Sequence, residues 1–311
     1  MNWHQKHSTN AAYTTTDTNT PRPLCTACIY GIIHQTSTDH RKVHRDPTTI
    51  PGQQFALDAF ANTARSSRHH KHCDLFTDLA KGLIFPVFTK DRSALELVTK
   101  TTIFFRTHPH WSTQQSDVIR FIRIDPESNY NSQAFCKCLS YFGYSIERTP
   151  PRDRHANGIT ERLITAKTNI AMVAPTPRVP DIFWDLAMAY ACRTHSFNYK
   201  RLNDSPYHYV HNQNIDIKQL HPFWARCYVY IPLKNRREKL SSPRAYKAHF
   251  VGYNFSTIMF PNYLVVEVYK NGSYGGIGSR QGIIFDASII LETPQHSLLT
   301  KNFIPQVRSS L

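Results

Sequence analysis

The chain has 311 residues, 41% of them hydrophobic, which is enough to bury a core and excludes a wholly disordered polymer. Lys and Arg outnumber Asp and Glu by 37 to 22, and the net charge of +15 points to a polyanionic partner. No apolar run approaches the roughly 20 residues that cross a bilayer, the start MNWHQKHSTN lacks the order of a secretory signal, and seven thinly spread cysteines fit a reducing compartment better than a disulfide scaffold.

Residues 1–50 are polar, rich in Thr, His and basic side chains, and read as an arm that needs an external staple to fold. From residue 53 the texture changes. QQFALDAFA, HCDLFTDLA and LIFPVFTK are aromatic and β-branched runs between breakers, predicting three successive strands. DRSALELVTKTTIFFRTH has apolar residues at helical spacing, with Asp91 as its expected N-cap. VIRFIRID predicts a fourth strand, SQAFCKCLSYFG a helix stopped by Gly143, and YSIERTPP a fifth strand cut off by two prolines. NGITERLITAKTNIAMV and DIFWDLAMAYACRTHSFNY predict two further helices. After residue 221 come CYVYIPL, AHFVGYNF, YLVVEVY and GIIFDASII, strands spaced by turn residues as in a small barrel. The expected architecture is α/β: a mixed sheet with flanking helices over 51–205, then a linker and small all-β module over 206–311.

Three acids stand where chemistry collects, at strand ends and helix starts. Asp58 interrupts an apolar strand, Asp125 ends the fourth strand, and Glu161 opens a helix. Carboxylates gathered at one place repel unless a cation joins them. Mg²⁺ takes a few carboxylate oxygens plus water and phosphate oxygens, and two such ions support an in-line phosphoryl displacement. Any one acid alone is more simply a cap or an ion-pair partner, as Asp78, Asp91 and Asp153 are taken to be. Spacing sets the three apart: 35 residues lie between Asp125 and Glu161.

That spacing is similar to the acidic triad of retroviral and retrotransposon integrases, and the surrounding words resemble the copia-type long-terminal-repeat retrotransposons. FALDAF resembles the family's first-aspartate strand, RIDPESNYNSQAF its second motif, and TPPRDRHANGITERLITAKTNI its third. DIFWDLAMAYA resembles the family's "FW-x-x-A" helix and DSPYHYV the proline-containing segment after it. LHPFWARCYVYIP, AHFVGYN and GIIFDAS follow the landmarks of the family's post-core module, in order. The resemblance implies an RNase H-like five-stranded mixed sheet, an SH3-like C-terminal module, and DNA 3′-end processing and strand transfer. It further implies Mg²⁺ or Mn²⁺ held by Asp58, Asp125 and Glu161, action on element ends and target DNA within a homo-oligomer, and a place in the nucleus or a cytoplasmic virus-like particle. Departures are specific. Ala61 and Asn62 stand where the family has Gly-Pro, Glu127 replaces a motif glycine behind Pro126, and Asn129 replaces an acid. An alternative therefore stays open: a non-catalytic or domesticated nucleic-acid-binding remnant of a retrotransposon polyprotein.

The family also implies an N-terminal His-His-Cys-Cys zinc arm, which here would be His4, His7, Cys25 and Cys28. Tetrahedral Zn²⁺ would supply the folding energy a polar arm lacks. Cys25, Cys28, His40 and His44 form a rival set with finger-like spacing. His69, His70 and His72 read as a solvated turn. Arg152, Arg154, Asn157, Arg162 and Lys167 surround the third motif and are the expected phosphate contacts. KNRREKLSSPRAYK is the densest basic run, and Trp184 and Trp224 are expected in the core rather than on a binding surface.

Overall fold

The structure is a computed structural model. It describes residues 50–62, 64–108, 119–124, 129–148, 168–169, 171–172, 178–197, 206, 208, 220–238, 241–254 and 262–286. These fall into two compact units, 1–224 with 251–253, and 225–250 with 254–311.

The first unit is built on strands β1 (Gln54–Ala61), β2 (His72–Asp78), β3 (Ile84–Thr89), β4 (Arg120–Ile124) and β5 (Tyr144–Arg148). They lie in the order β3-β2-β1-β4-β5. β1 runs antiparallel to β2, β2 antiparallel to β3, and β1, β4 and β5 run parallel. With helices on its faces, this mixed sheet is RNase H-like, as the sequence leads one to expect. β3 is an outer strand and carries Pro86 opposite Leu75, a position proline tolerates only where no ladder bond is lost.

Alternation along β1 assigns two faces. Phe55 and Leu57 share one with Phe76, Ile122 and Ile124, and helices α1 (Ala94–Thr107) and α2 (Gln133–Tyr141) cover it. Phe55 meets Phe76, Phe104 and Phe105 edge-on at ring distances of 6.1–6.5 Å, an arrangement aromatic quadrupoles favour. Phe60, Cys73 and Leu75 face the other way, against Trp184, Met188 and Cys192 of α3 (Trp184–Ser196). Trp184 and Trp224 are both buried. The cap of α1 is Ser93, two residues later than the expected Asp91. Its hydroxyl accepts from the Glu96 amide, while Asp91 accepts from the Ser93 amide and the Glu96 carboxylate from the Lys90 amide, shaping the approach. Gly143, at φ +79°, closes α2 in the left-handed conformation that favours glycine.

The second unit holds strands β6 (Arg226–Tyr230), β7 (Ala245–Asn254), β8 (Asn262–Val268), β9 (Tyr274–Arg280) and β10 (Ile283–Phe285), in the order β10-β6-β7-β8-β9. The β10–β6, β6–β7 and β8–β9 pairs are antiparallel. Phe250, Tyr263 and Phe285 pack edge to face in its core at 5.4–6.0 Å. β9 is an addition to the four strands expected there. Its sequence, YGGIGSR, carries three glycines, and at Gly275 a side chain would meet the Tyr269 hydroxyl at 2.8 Å, a close approach that glycine accommodates. Among the described residues no helix is long and apolar enough to cross a membrane.

Candidate functional site

Asp58 lies in the middle of β1, opposite Leu75, on the α3-facing side of the sheet. It is half-buried, and the amide of Ala59 donates to its Oδ1 at 2.9 Å. The neighbouring residue Leu57 is the register partner of Ile124, the last described residue of β4. The chain continues directly from Leu57 to Asp58 and from Ile124 to Asp125. Ala61, where a family glycine was expected, simply extends β1, and Asn62 adds a further bond from its amide to the Lys71 carbonyl at 3.1 Å.

Other predicted residues lie outside the described ones. These are Asp125, Glu161, the zinc candidates His4, His7, Cys25, Cys28, His40 and His44, and the phosphate contacts Arg152, Arg154, Asn157, Arg162 and Lys167. Among the described residues no three His, Cys, Asp or Glu side chains gather as a metal site. Beyond Glu161, Thr168 and Met172 of the same segment are helical. The Thr168 hydroxyl meets the Met188 sulfur at 3.3 Å, and Met172 packs on the α3-side cluster. The described part of that segment thus lies on the face of the sheet that Asp58 occupies.

No family model and no curated protein matches the chain. Solved structures do resemble it. A chain of the simian T-cell lymphotropic virus intasome, solved in complex with the PP2A regulatory subunit B56 gamma, aligns with a TM-score of 0.43 and 13% identity. That alignment covers 79% of this chain and 82% of the other. The catalytic core domain of BIV integrase aligns with a TM-score of 0.37 and 10% identity, over 51% of this chain and 93% of that one. The strand order and register described above define the fold independently of these likenesses.

Two buried acids close to this region escaped the sequence reading. Asp74 lies on β2 opposite Ala59, so its side chain belongs to the sheet face that α1 and α2 cover, the reverse of the face of Asp58. It is 6% exposed, and the Tyr130 hydroxyl donates to its Oδ1 at 2.6 Å. Burial pushes its carboxyl up to about 6, although the Tyr130 bond and the Arg92 charge pull the other way. An unfolded aspartate titrates near 3.9, so between pH 4 and 6 the native chain binds more protons than the unfolded one. Stability from this group therefore falls as pH rises through that window. The expected result is that Asp74→Asn, which keeps an acceptor for Tyr130, gains about 3 kcal/mol over the parent at pH 8 and little at pH 4. Urea unfolding at the two pH values checks this, and an equal difference at both would refute it.

Asp185, in the first turn of α3, is the second. Its side chain is fully buried, and Arg68 and His70 both reach its Oδ2 at 2.8 Å while the Leu186 amide donates to Oδ1. Burial alone would raise this carboxyl, but the bond from His70 and the charge and bond of Arg68 more than offset it and hold it below the ordinary range. His70 is also stacked on Phe88 at 5.4 Å. The turn read as solvated is instead, at His70, a staple between the β1–β2 hairpin and α3. His69 takes its positive φ of 67° within that turn.

Proposed function

We propose that the chain is a metal-dependent DNA-joining enzyme of the integrase type, carrying out 3′-end processing and strand transfer. The observation that supports this most is the register of β1 on β4. The Leu57–Ile124 pair is followed on one strand by Asp58 and on the other by Asp125. In a parallel pair, residues one step past a register pair share a face, and on that ground Asp58 and Asp125 are proposed as two hard oxygen ligands, with Glu161 as the third. Such a donor set fits Mg²⁺ or Mn²⁺. Bound there, the ions would polarise the scissile phosphate and lower the pKa of the attacking water or hydroxyl.

The protein's own contributions are of another kind. Asp58 is held by its place in a central strand and by the Ala59 amide, so its carboxylate is oriented before any ligand arrives. Arg152, Arg154, Asn157, Arg162 and Lys167 are proposed to hold phosphates near Glu161, and the net charge of +15 attracts DNA over a longer range. The copia-type lineage, a zinc arm on His4, His7, Cys25 and Cys28, assembly as a homo-oligomer on DNA, and a nuclear site of action belong to the same proposal. It is tested by incubating the full chain with a labelled duplex carrying the element's terminal-repeat end and a target plasmid, with Mg²⁺ or Mn²⁺. Trimmed 3′ ends and joined product are expected, both lost in EDTA. DNA retained on the protein with neither product would instead favour the non-catalytic nucleic-acid-binding remnant.

A further inference from the structure

One end of the first unit's sheet carries a concentration of positive charge that the proposed chemistry leaves unused. β1 ends at Ala61, three residues past Asp58, and the Asn62 amide then bonds the Lys71 carbonyl as the chain turns into β2. The Lys71 amide donates to the Thr89 carbonyl at 3.0 Å, so the turn after β3 lies beside that hairpin. The hairpin loop, residues 62–72, holds Arg65, Arg68 and Lys71 and no acid, and the turn 90–93 adds Lys90 and Arg92 against the single Asp91. Asp185 neutralises Arg68. Arg65, Lys71, Lys90 and Arg92 are exposed, and none of them makes an ion pair among the described residues. We propose that these four cations form a docking surface for the phosphate backbone of duplex DNA, at the end of the sheet where the strand of Asp58 terminates.

Rigidity, charge and place together separate this edge from an ordinary solvated loop. The Ser66 hydroxyl accepts from the amides of Arg68 and His70, the Ser67 amide donates to the Ile182 carbonyl at 2.7 Å, and Asp185 holds the Arg68 and His70 side chains. A loop already held in one conformation gives up little freedom when it binds. The like charges are also crowded. His72 sits where the two loops meet, and burial, followed by the charges of Arg92 and Lys71, pushes its imidazole below the ordinary range, with Asp91 opposing them only in part. Cations gathered so closely repel one another, and phosphates relieve that repulsion. Lys71 has the strand parity of Cys73, which faces α3 as Asp58 does, and the stretch of β1 from Asp58 to its end spans about 10 Å. That is about three base-pair steps along a duplex, so one DNA molecule reaches both. Neither loop exposes a large hydrophobic side chain of the kind an apolar protein partner would bury. Phosphate contacts carry no sequence information, so the occupant is a duplex of any sequence, as a target DNA is.

This surface rests on the nucleic-acid partner of the proposed function and not on its metal chemistry, so the test is run in EDTA. Binding of the full chain to a short DNA duplex of arbitrary sequence is followed by fluorescence anisotropy over a salt series. Each phosphate contact contributes about 0.9 to the slope of log K against log salt. Arg65→Gln with Lys71→Gln, and separately Lys90→Gln with Arg92→Gln, are each expected to flatten that slope by about 1.8. Arg106→Gln with Lys137→Gln removes the same charge from α1 and α2, which cover the other face of the sheet, and is expected to keep the parental slope. All these side chains are exposed, and if one loop pair fails to fold the other carries the test. A parent that binds no duplex overturns this surface and the nucleic-acid partner together. A parental slope in a folded loop variant, or a slope flattened as much in the α1–α2 variant, overturns the surface and leaves DNA as the partner. Loop variants whose slope flattens on duplex RNA but not on DNA reassign the surface to RNA and overturn it equally.

Discussion

Asp58→Asn is expected to lower metal-dependent DNA joining by at least about a thousandfold, equivalent to some 4 kcal/mol of transition-state stabilisation. The substitution is sterically silent. An amide oxygen can still accept from the Ala59 amide, which donates to Oδ1 at 2.9 Å, and β1 keeps its pairing with β2 and β4. Only the negative charge goes, and an anionic oxygen is what a hard divalent ion requires. DNA affinity and its dependence on salt should stay close to parental, because phosphates are held by cationic side chains and not by a carboxylate. Both quantities are measurable on one preparation, by joining assay and by filter binding across a salt series. Joining that survives the substitution would remove Asp58 from the metal site.

Asp185→Ala is expected to cost about 3 kcal/mol, the low end for breaking a buried ion pair, because the partly exposed Arg68 can turn back to water. For a unit of this size that lowers Tm by about 10 °C. His70 then loses its acceptor beneath Phe88, and the hairpin end of β1 and β2 loses its tie to α3. The pH dependence has a definite sign. The folded carboxyl is held below the unfolded one, so the native chain binds fewer protons as acid is added. Its stabilisation is complete above about pH 4 and disappears as pH falls through the folded value. Acid unfolding of the parent and Asp185→Ala should therefore converge below that range, opposite in direction to the effect of Asp74.

Most of the sheet was legible because its residues announce themselves. β1, β2 and β3 are apolar runs between breakers, and the alternation in FALDAF already separates Leu57 from Asp58. β9 was not legible, since three glycines carry no strand signal and the reason for one of them, contact with Tyr269, exists only in the folded chain. The cap of α1 was misplaced by two residues because Asp91 and Ser93 are both good caps, and only Ser93 stands three residues before Glu96. Of the proposed triad, the sequence singled out Asp58 by an acid breaking an apolar run. The same signal in HCDLFTD marks Asp74, which was passed over for want of a visible partner, Tyr130 being 56 residues away. Asp185 offered less still. An acid in the first turn of a helix is commonplace, and its partners arrive from 115 and 117 residues earlier in the chain.

Pro86 has a consequence for association between molecules. An unprotected outer strand is a template onto which a second chain can zip through its backbone groups. In β3 the proline nitrogen carries no hydrogen, and the place it occupies without loss to the ladder with β2 is one where that nitrogen looks outward. A six-residue strand with its outward donor row interrupted near the middle is a poor seed for such growth. Copies of this chain brought together at high local concentration are thereby discouraged from fusing sheet to sheet at β3.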